Sequence, residues 1–568
     1  MNILFVVPMH ITFESFITPG PNSRQFTKSG RKFNSLSTDL PIGVMSLSAY
    51  LKKHIDVHCK LLDFNAEINS MSDFEYSNFH DCALDQFKKT GYKPDVVCIS
   101  SLFSPSFLNF MEAGKAAREI WPDALHLGGG NIPTNSYKDI YSGENQDIFD
   151  ALCYGEGEKS LLELLTCSNR ESYLRKSQSW ITKDKIISSD LFIPKHNFIE
   201  DLDEIPFLDY DLCSLEKHAI NQNLSSFHVV ENPRGFHIMT SRGCPYLCTF
   251  CASHKTHGRK MRYHSIERVQ EDLTRLKNIY QADTVVFQDD HLMADQDRVY
   301  KLLEIVGNLK LNSLYQNGLT LYALDRPMLQ AFYDAGVRHL VLPVESGSEK
   351  VLKQQMKKPL KTRISKRVAQ DCRDLGIYTN VNILIGMPGE TKADLEEGRL
   401  NLREITGNWF NIACASPLVG SEMYDLALAK GYISLKNMGS DYHVATINTE
   451  DFSSDYIQDF QYKLNLELNF VFNQDIKLGE YRIALLGMNN VIRLRSDHAF
   501  AHYYAYICHK GLGDHKASLA HARNYNKYAQ ASFWSKYVLA YNLPKEILLE
   551  SLVFDEANPE MQVVEKTN

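Results

Sequence analysis

The stretch Ser241-Arg-Gly-Cys-Pro-Tyr-Leu-Cys-Thr-Phe-Cys251 holds three of the twelve cysteines of this 568-residue chain, in the pattern C-x3-C-x2-C. Iron–sulfur clusters are bound by cysteine thiolates that short loops bring together. Three ligands on a four-iron cluster leave one iron open, much as a catalytic zinc keeps an open position. The spacing therefore predicts that Cys244, Cys248 and Cys251 are the metal ligands of a 4Fe–4S cluster.

A zinc site is the alternative interpretation of the same stretch. Zinc would take Cys248 and Cys251 together with His254 or His257. Structural zinc normally uses two ligand pairs of regular spacing, and these histidines are loosely spaced, so the pattern favours the iron–sulfur cluster. The other nine cysteines are scattered, several of them in apolar runs where a thiol behaves as a small hydrophobic group.

Around the cysteine stretch, residues 233–432 alternate strand-like and helix-like patterns. The strand-like runs are Gly235–Thr240, Thr284–Gln288, Ser313–Leu321, Arg338–Val344, Thr379–Gly386 and Trp409–Cys414. Six such runs with helices between them predict a parallel (β/α) barrel, complete or partial, whose catalytic groups lie at the carboxyl ends of its strands. Asp289 and Asp290 follow one strand and Glu345 follows another, so we expect them to face one mouth of the barrel. The alternative role for each acid is a helix cap or a solvated loop.

Residues 1–165 show a second alternation of strands and helices. The strand-like runs are Ile3–Val7, Val57–Asp63, Asp95–Ser100, Ala124–Leu127 and Ala151–Tyr154. This order predicts a doubly wound, Rossmann-like α/β sheet, which binds ligands beyond the carboxyl ends of its strands. The loops at that edge are 8–40, 101–105, 128–132 and 154–158. Their glycines have tight turns as an alternative explanation.

The remaining segments carry weaker patterns. Residues 166–232 lack periodicity and are interpreted as a connector, and residues 433–568 predict a mainly helical region with weak tetratricopeptide-like spacing. The formal charge of −8 argues against a nucleic-acid partner for the whole protein. The sequence has no run of 18 apolar residues, so no membrane span is expected, and Met1–Pro8 predicts a strand and not a signal peptide.

The cysteine stretch and the segments after it resemble the radical S-adenosylmethionine (SAM) superfamily. The motifs similar to that family follow the barrel strands in order, at Gly258–Ser265, Phe287–Asp290, Val344–Leu352, Ile383–Glu390 and Pro417–Tyr424. The resemblance implies that the cluster binds SAM and that further residues contact this cofactor. Those implied SAM contacts are Phe250, Gln288, Asp289, Asp290, Glu345, Ser346, Ile385 and Gly386.

The first domain resembles the cobalamin-binding domain that precedes many radical SAM enzymes. The similar segments are Pro41–Gly43, Leu62–Glu67, Asp95–Ser100, Leu127–Gly130 and Gly155–Glu158. The cobalt-binding motif Asp-x-His-x-x-Gly of the mutase and synthase families is absent from residues 1–165, so cobalamin would bind without a histidine from that source. The implied cobalamin contacts are Ser100, Ser101, Gly128, Gly129, Gly130, Gly155 and Glu156.

What the resemblance implies is radical chemistry on a small molecule. In that family the reduced cluster cleaves SAM to methionine and a 5′-deoxyadenosyl radical, and methylating members transfer a methyl group from methylcobalamin. We therefore expect a cobalamin-dependent methyltransferase acting on an unactivated carbon, or on phosphorus. The alternatives are a radical cyclase or rearrangement enzyme, and a non-catalytic cobalamin- or cluster-binding sensor. A tRNA methylthiotransferase is disfavoured, because Cys59, Cys82, Cys98 and Cys153 lack that family's spacing.

Two further expectations concern partners and compartment. A flavodoxin or ferredoxin would supply the electron that such a cluster needs. An exposed cluster survives only under reducing conditions, which predicts a cytoplasmic location.

Overall fold

The computed structural model of the chain describes residues 1–19, 25–142, 146–188, 192–218, 234–434 and 444–549. Residues 219–232 of the predicted connector and residues 550–568 of the predicted helical region lie outside this part of the chain. Within the described residues, no helix combines the length and apolar character needed to cross a membrane.

The first domain is a doubly wound α/β sheet, as predicted. Its strands and an associated hairpin are β1 (Asn2–Val7), β2 (Gln25–Lys28), β3 (Arg31–Asn34), β4 (His58–Asp63), β5 (Val96–Ser100), β6 (Leu125–Gly129), β7 (Ala151–Cys153) and β8 (Trp180–Ile181). The order across the sheet is β4-β1-β5-β6-β7-β8, and every pair is parallel except β7 with β8. Helices cover both faces, which explains why β1 is apolar and buried from Ile3 to Val7.

The helices of this half of the chain pack on the two faces of the sheet. They are α1 (Phe13–Ile17), α2 (Ile42–His54), α3 (Phe64–Ser70), α4 (Phe79–Lys89), α5 (Phe107–Ile120), α6 (Asn131–Ile140), α7 (Glu158–Thr166), α8 (Arg170–Lys176), α9 (Lys183–Ile187) and α10 (Leu215–His218). Leu4 and Val6 belong to the core with α4 and α5, whereas Ile3 and Phe5 belong to the core with α2 and α7. Alternate residues of β1 therefore face opposite layers.

Two elements differ from the sequence-based expectation. The polar loop predicted over 9–40 contains the antiparallel hairpin β2–β3, whose turn residues Ser29 and Gly30 both have positive φ, at 45° and 78°. Phe26 and Phe33 of this hairpin stack at 6.0 Å, which fixes it to the core. The predicted connector contributes β8, which pairs antiparallel with β7 and extends the first sheet.

The second domain is a partial (β/α) barrel, also as predicted. Its strands are β9 (Gly235–Ile238), β10 (Ser241–Arg242), β11 (Arg262–Tyr263), β12 (Thr284–Phe287), β13 (Asn312–Tyr315), β14 (His339–Glu345), β15 (Tyr378–Ile385) and β16 (Trp409–Cys414). Two three-stranded parallel sheets, in the orders β9-β12-β13 and β14-β15-β16, form the wall. The antiparallel pair β10–β11 brackets the cysteine stretch.

The barrel helices pack outside these sheets, and a helical region follows them. The barrel helices are α11 (Ser253–His257), α12 (Ile266–Tyr280), α13 (Gln296–Asn308), α14 (Arg326–Asp334), α15 (Thr362–Leu375), α16 (Lys392–Leu402) and α17 (Glu422–Ala429). The later helices are α18 (Ser454–Leu466), α19 (Gln474–Lys477), α20 (Tyr481–Leu494), α21 (Ala499–Gly511), α22 (His515–Ala529) and α23 (Ser532–Ala540). A Cβ on Gly487 of α20 would lie 2.4 Å from the Trp409 ring of β16, so this region packs closely on the barrel.

Candidate functional site

The three predicted ligands lie in one loop, residues 244–251, which we call the cluster loop. It leaves the β10–β11 pair through Gly243, whose φ is +101° and where a Cβ would lie 2.3 Å from the Lys260 carbonyl oxygen. Only glycine fits so close a backbone approach with that φ. The Cys244 amide donates to the Gly258 carbonyl at 3.2 Å, which closes the base of the loop.

The far side of the cluster loop is held by other parts of the barrel. Thr249 donates its amide to Met356 O at 3.1 Å and its hydroxyl to Gln355 O at 2.5 Å. Its own carbonyl accepts the amide of Met423 at 2.8 Å. Because backbone groups of three separate segments meet at Thr249, the loop is fixed over the mouth of the barrel.

The three thiols of this loop are free of disulfides. Cys244, Cys248 and Cys251 are unpaired and partly exposed. Among the described residues, no three His, Cys, Asp or Glu side chains converge on the position of a single metal ion. In a 4Fe–4S cluster each thiolate binds a different iron, so convergence on one point is not needed. Burial and the neighbouring thiols raise the pKa of Cys244 to about 12, so its thiolate needs a cation such as iron beside it.

Asp289 and Asp290, adjacent in sequence, have different surroundings. Asp289 is fully buried and accepts from the Thr240 amide at 3.1 Å, the Thr240 hydroxyl at 2.8 Å and the Ser241 hydroxyl at 2.6 Å. These donors lead directly into the cluster loop, so Asp289 anchors that segment. Its predicted contact with the SAM ammonium group stays a prediction.

Asp290 offers what its neighbour does not. Its Oδ2 is buried and has no hydrogen-bond partner among the described residues. Its charge helps to raise the pKa of Cys244, which places it beside the cluster loop. A buried carboxylate oxygen without a donor is rare, and a ligand ammonium group would satisfy it. On the same rim, the Gln288 side-chain amide donates to Gln316 Oε1 at 3.3 Å and accepts from Asn317 Nδ2 at 3.0 Å.

The predicted ribose contacts follow β14. Glu345 has a φ of +65°, at an irregularity in the β14–β15 register, and Lys358 binds its carboxylate at 3.0 Å. Both charges act on the pKa of the Cys248 thiol. Burial raises this pKa, Lys358 lowers it, and Glu345 raises it. Ser346 is buried, and its hydroxyl accepts the amide of Ser348 at 3.1 Å. No pattern in the sequence indicates the pairing of Lys358 with Glu345.

The predicted adenine contacts lie where β15 ends. Ile385 is buried, and Gly386 has a φ of +84°. The amides of Gly386 and Met387 donate to Glu390 Oε2 at 2.7 and 3.0 Å. This turn is therefore shaped by a carboxylate that the sequence analysis did not select. Burial raises the pKa of Glu390 to about 7.

The raised pKa of Glu390 predicts a pH-dependent stability. A carboxyl with a raised folded-state pKa stabilises fully below its unfolded value of 4.5, and this contribution is lost as the pH rises through 7. We expect the free energy of unfolding to fall by up to about 3 kcal/mol over that range, relative to Glu390→Gln. Denaturant unfolding of the apo-protein at several pH values measures this, and parallel curves for the two proteins would contradict it.

The predicted cobalamin edge is formed by the ends of β5 and β6. The Ser101 amide, next to Ser100, donates to Gly129 O at 3.0 Å. A Cβ on Gly130 would lie 2.5 Å from Ser101 O, and one on Gly128 would lie 2.6 Å from Leu152. A Cβ on Gly129 would meet no atom of the described residues within 4 Å. Packing thus requires glycine at positions 128 and 130, whereas a side chain at position 129 would extend into open space.

The other two predicted cobalamin residues lie against the second domain. A Cβ on Gly155 would lie 2.4 Å from the His196 ring, and Glu156 binds Arg262 at 2.6 Å. At the same interface Thr256 lies 3.4 Å from Asn131, the first residue after the Gly130 turn. Helix α11, which directly follows the cluster loop, therefore meets the cobalamin edge at the domain interface.

Comparison with known proteins supports both domains. The radical SAM superfamily model matches residues 238–398, and the B12 binding domain model, B12 being cobalamin, matches residues 36–165. The chain is 28% identical over 427 residues to cytidylyl-2-hydroxyethylphosphonate methyltransferase of Streptomyces wedmorensis, covering 69% of this chain and 78% of the relative. It is 24% identical over 351 residues to the anaerobic magnesium-protoporphyrin IX monomethyl ester cyclase of Rubrivivax gelatinosus, covering 61% of each.

A solved structure shares the whole architecture. The cobalamin-dependent S-adenosylmethionine radical enzyme OxsB aligns with a TM-score of 0.59 at 14% identity, over 99% of this chain and 84% of that chain. The likeness extends beyond the barrel to the first domain and the helical region, and it concerns the fold.

Proposed function

We propose that this chain, a radical SAM enzyme with a B12 binding domain at its N-terminal side, methylates an unactivated carbon or a phosphorus of a small molecule. The observation that supports the proposal is the contact between Thr256 of α11, directly after the cluster loop, and Asn131, directly after the Gly130 turn. Methyl transfer from cobalamin to a radical needs both cofactors on one substrate. The methyltransferase relative, which covers 69% of the chain, supports the same reaction class.

The residues divide the work of binding. When bound, the reduced cluster with SAM supplies a 5′-deoxyadenosyl radical and methylcobalamin supplies the methyl group. Cys244, Cys248 and Cys251 hold the cluster. Asp290 accepts the SAM ammonium group, with Phe250, Gln288 and Asp289 on the same side of the site. Glu345 and Ser346 bind the ribose, while Ile385 and Gly386 bind the adenine. Ser100, Ser101, Gly128, Gly129, Gly130, Gly155 and Glu156 form the cobalamin edge.

The helical region limits the access of water to the mouth of the barrel. A Cβ on Gly386 would lie 2.9 Å from Ile457 of α18, so this helix packs on the turn that follows β15. Ile457 itself is buried. Radical intermediates react with whatever reaches them, and a covered site prevents such side reactions. Electron delivery by flavodoxin or ferredoxin, a cytoplasmic location and the lack of a nucleic-acid partner complete the proposal.

The decisive experiment is product analysis with the anaerobically reconstituted protein. Incubation with SAM and cob(I)alamin, without substrate, is expected to yield methylcobalamin and S-adenosylhomocysteine. Addition of a chemical reductant for the cluster and of cytidylyl-2-hydroxyethylphosphonate, as the first substrate probe, is then expected to raise 5′-deoxyadenosine formation. Deoxyadenosine with no S-adenosylhomocysteine would favour ring formation or rearrangement, which the cyclase relative also allows. Cobalamin binding with no SAM consumption would overturn both enzymatic functions and leave a sensor.

A further inference from the structure

Buried ion pairs join the first domain to the base of the cluster loop. Glu156 binds Arg242 at 3.2 Å, Arg262 at 2.6 Å and His257 at 2.9 Å. Glu158 binds Arg242 at 2.7 Å and accepts the Ser46 hydroxyl at 2.6 Å. We call these five charged side chains, Glu156, Glu158, Arg242, Arg262 and His257, the interdomain clamp. Both carboxylates come from the first domain, and all three bases come from the second.

The interdomain clamp is withdrawn from water. The side chains of Glu156 and Arg262 are 3% and 2% exposed. Charges so buried need partners at every polar atom. Arg262 meets this requirement by also donating to Ile199 O at 2.7 Å and to His257 O at 3.0 Å. The Arg262 guanidinium group lies 4.2 Å from the centre of the Phe198 ring. This contact helps to hold the planar group, with its fork of N–H donors, in one orientation.

The clamp also lies between the two candidate cofactor sites. Arg242 precedes Cys244 by two residues and lies opposite Arg262 in the backbone register of the antiparallel pair β10–β11. On the other side, Glu156 follows Gly155, whose amide donates to Thr134 Oγ1 at 3.0 Å. Thr134 lies in the first turn of α6, directly after the Gly130 turn. A short, fully bonded path therefore runs from the cobalamin edge to the cluster loop.

We propose that Glu156 is a positioning residue that sets the separation between the bound cobalamin and the iron–sulfur cluster. This inference rests on the proposed function and adds a role that no cofactor contact explains. Its carboxylate is fully occupied by the three bases of the clamp, so it acts through Arg242 and Arg262. A misplacement of reacting groups by about 1 Å costs about 100-fold in rate, so the clamp controls how often a substrate radical receives a methyl group.

The test measures a distance and a ratio in the same holoenzyme. Glu156→Gln keeps the shape of the side chain and removes the charge that faces Arg242 and Arg262. We expect pulsed electron paramagnetic resonance to show an altered or broadened separation between cob(II)alamin and the reduced cluster. We also expect the yield of methylated product per 5′-deoxyadenosine to fall at least about tenfold, because misplacement affects transfer more than cleavage. Unchanged distance and ratio would overturn the proposal.

Two further variants keep the test decisive if Glu156→Gln folds poorly. Arg262→Lys retains the charge and loses the fork, and we expect it to shift the distance in the same sense. Glu200→Gln is the matched control, because Glu200 pairs at 2.8 Å with Lys260, two residues before Arg262, but the two side chains are 64% and 78% exposed. It should leave distance and ratio unchanged. A wild-type protein that binds both cofactors but transfers no methyl group would contradict the proposed function, while the distance measurement still tests the clamp.

Discussion

The Cys244→Ala protein is expected to fold normally and to form no 5′-deoxyadenosine. Removing one of three thiolates leaves the cluster with two protein ligands, too few to hold it beside SAM. The fold should survive, since the base of the loop is closed by the Cys244 amide and not by its side chain. Iron content, visible absorbance and deoxyadenosine formation after anaerobic reconstitution measure the effect, with circular dichroism as the check on folding.

The matched control for this loss is Cys167→Ala. Cys167 is also unpaired and partly exposed, but it lies at the end of α7, in the first domain. Its replacement should leave iron content and deoxyadenosine formation at wild-type levels. A Cys244→Ala protein with a full complement of iron and normal turnover would rule out the assigned cluster site.

The second large effect is expected at Asp290. Asp290→Asn removes the charge from an oxygen that has no hydrogen-bond partner among the described residues, so no hydrogen bond to that oxygen from this part of the chain is lost. A charged hydrogen bond to the SAM ammonium group contributes about 1.5–3 kcal/mol, so the dissociation constant for SAM should rise about 10- to 100-fold. Equilibrium binding of SAM to the reconstituted protein measures this.

Asp289→Asn provides the contrast, because it makes the same change, from a carboxylate to an amide, at the neighbouring residue. The Asp289 carboxylate accepts hydrogen bonds from Thr240 and Ser241. The amide of the variant carries an NH2 group, which would face some of these donor groups and could not accept their hydrogen bonds. We therefore expect a loss of stability of about 2 kcal/mol, seen as a lower melting temperature. If instead Asp289→Asn weakened SAM binding and Asp290→Asn did not, the roles given to the two acids would be reversed.

Much of this fold could be predicted because local patterns dictate it. Many strands of the first sheet and of the two barrel sheets are short, largely apolar runs buried on two faces, and such runs stand out in a sequence. The hairpin β2–β3 was missed although Ser29-Gly30 between Phe26 and Phe33 is a recognisable turn signal. Strand β8 has only two residues, too few for a period to show.

The candidate site, like the fold, could be predicted from the sequence only in part. Cysteine spacing is a local property, so the loop could be selected directly. Asp289 and Asp290 follow the same strand. Only the structure shows that Asp289 anchors Thr240, while Asp290 has a buried oxygen with no hydrogen-bond partner in the described part of the chain. The clamp joins Glu156 to Arg262 across 106 residues, a separation at which no sequence pattern indicates a partner.

The anchoring of Thr249 has a consequence for how the metal centre is assembled and maintained. Its amide, hydroxyl and carbonyl are all bound by protein groups, so the loop keeps its shape without iron. Small zinc domains behave differently, because they fold only when their metal binds. This chain can finish folding before iron and sulfide are delivered. Oxygen damage to the cluster would then inactivate the protein without unfolding it, and repair would consist of inserting a new cluster into the folded protein.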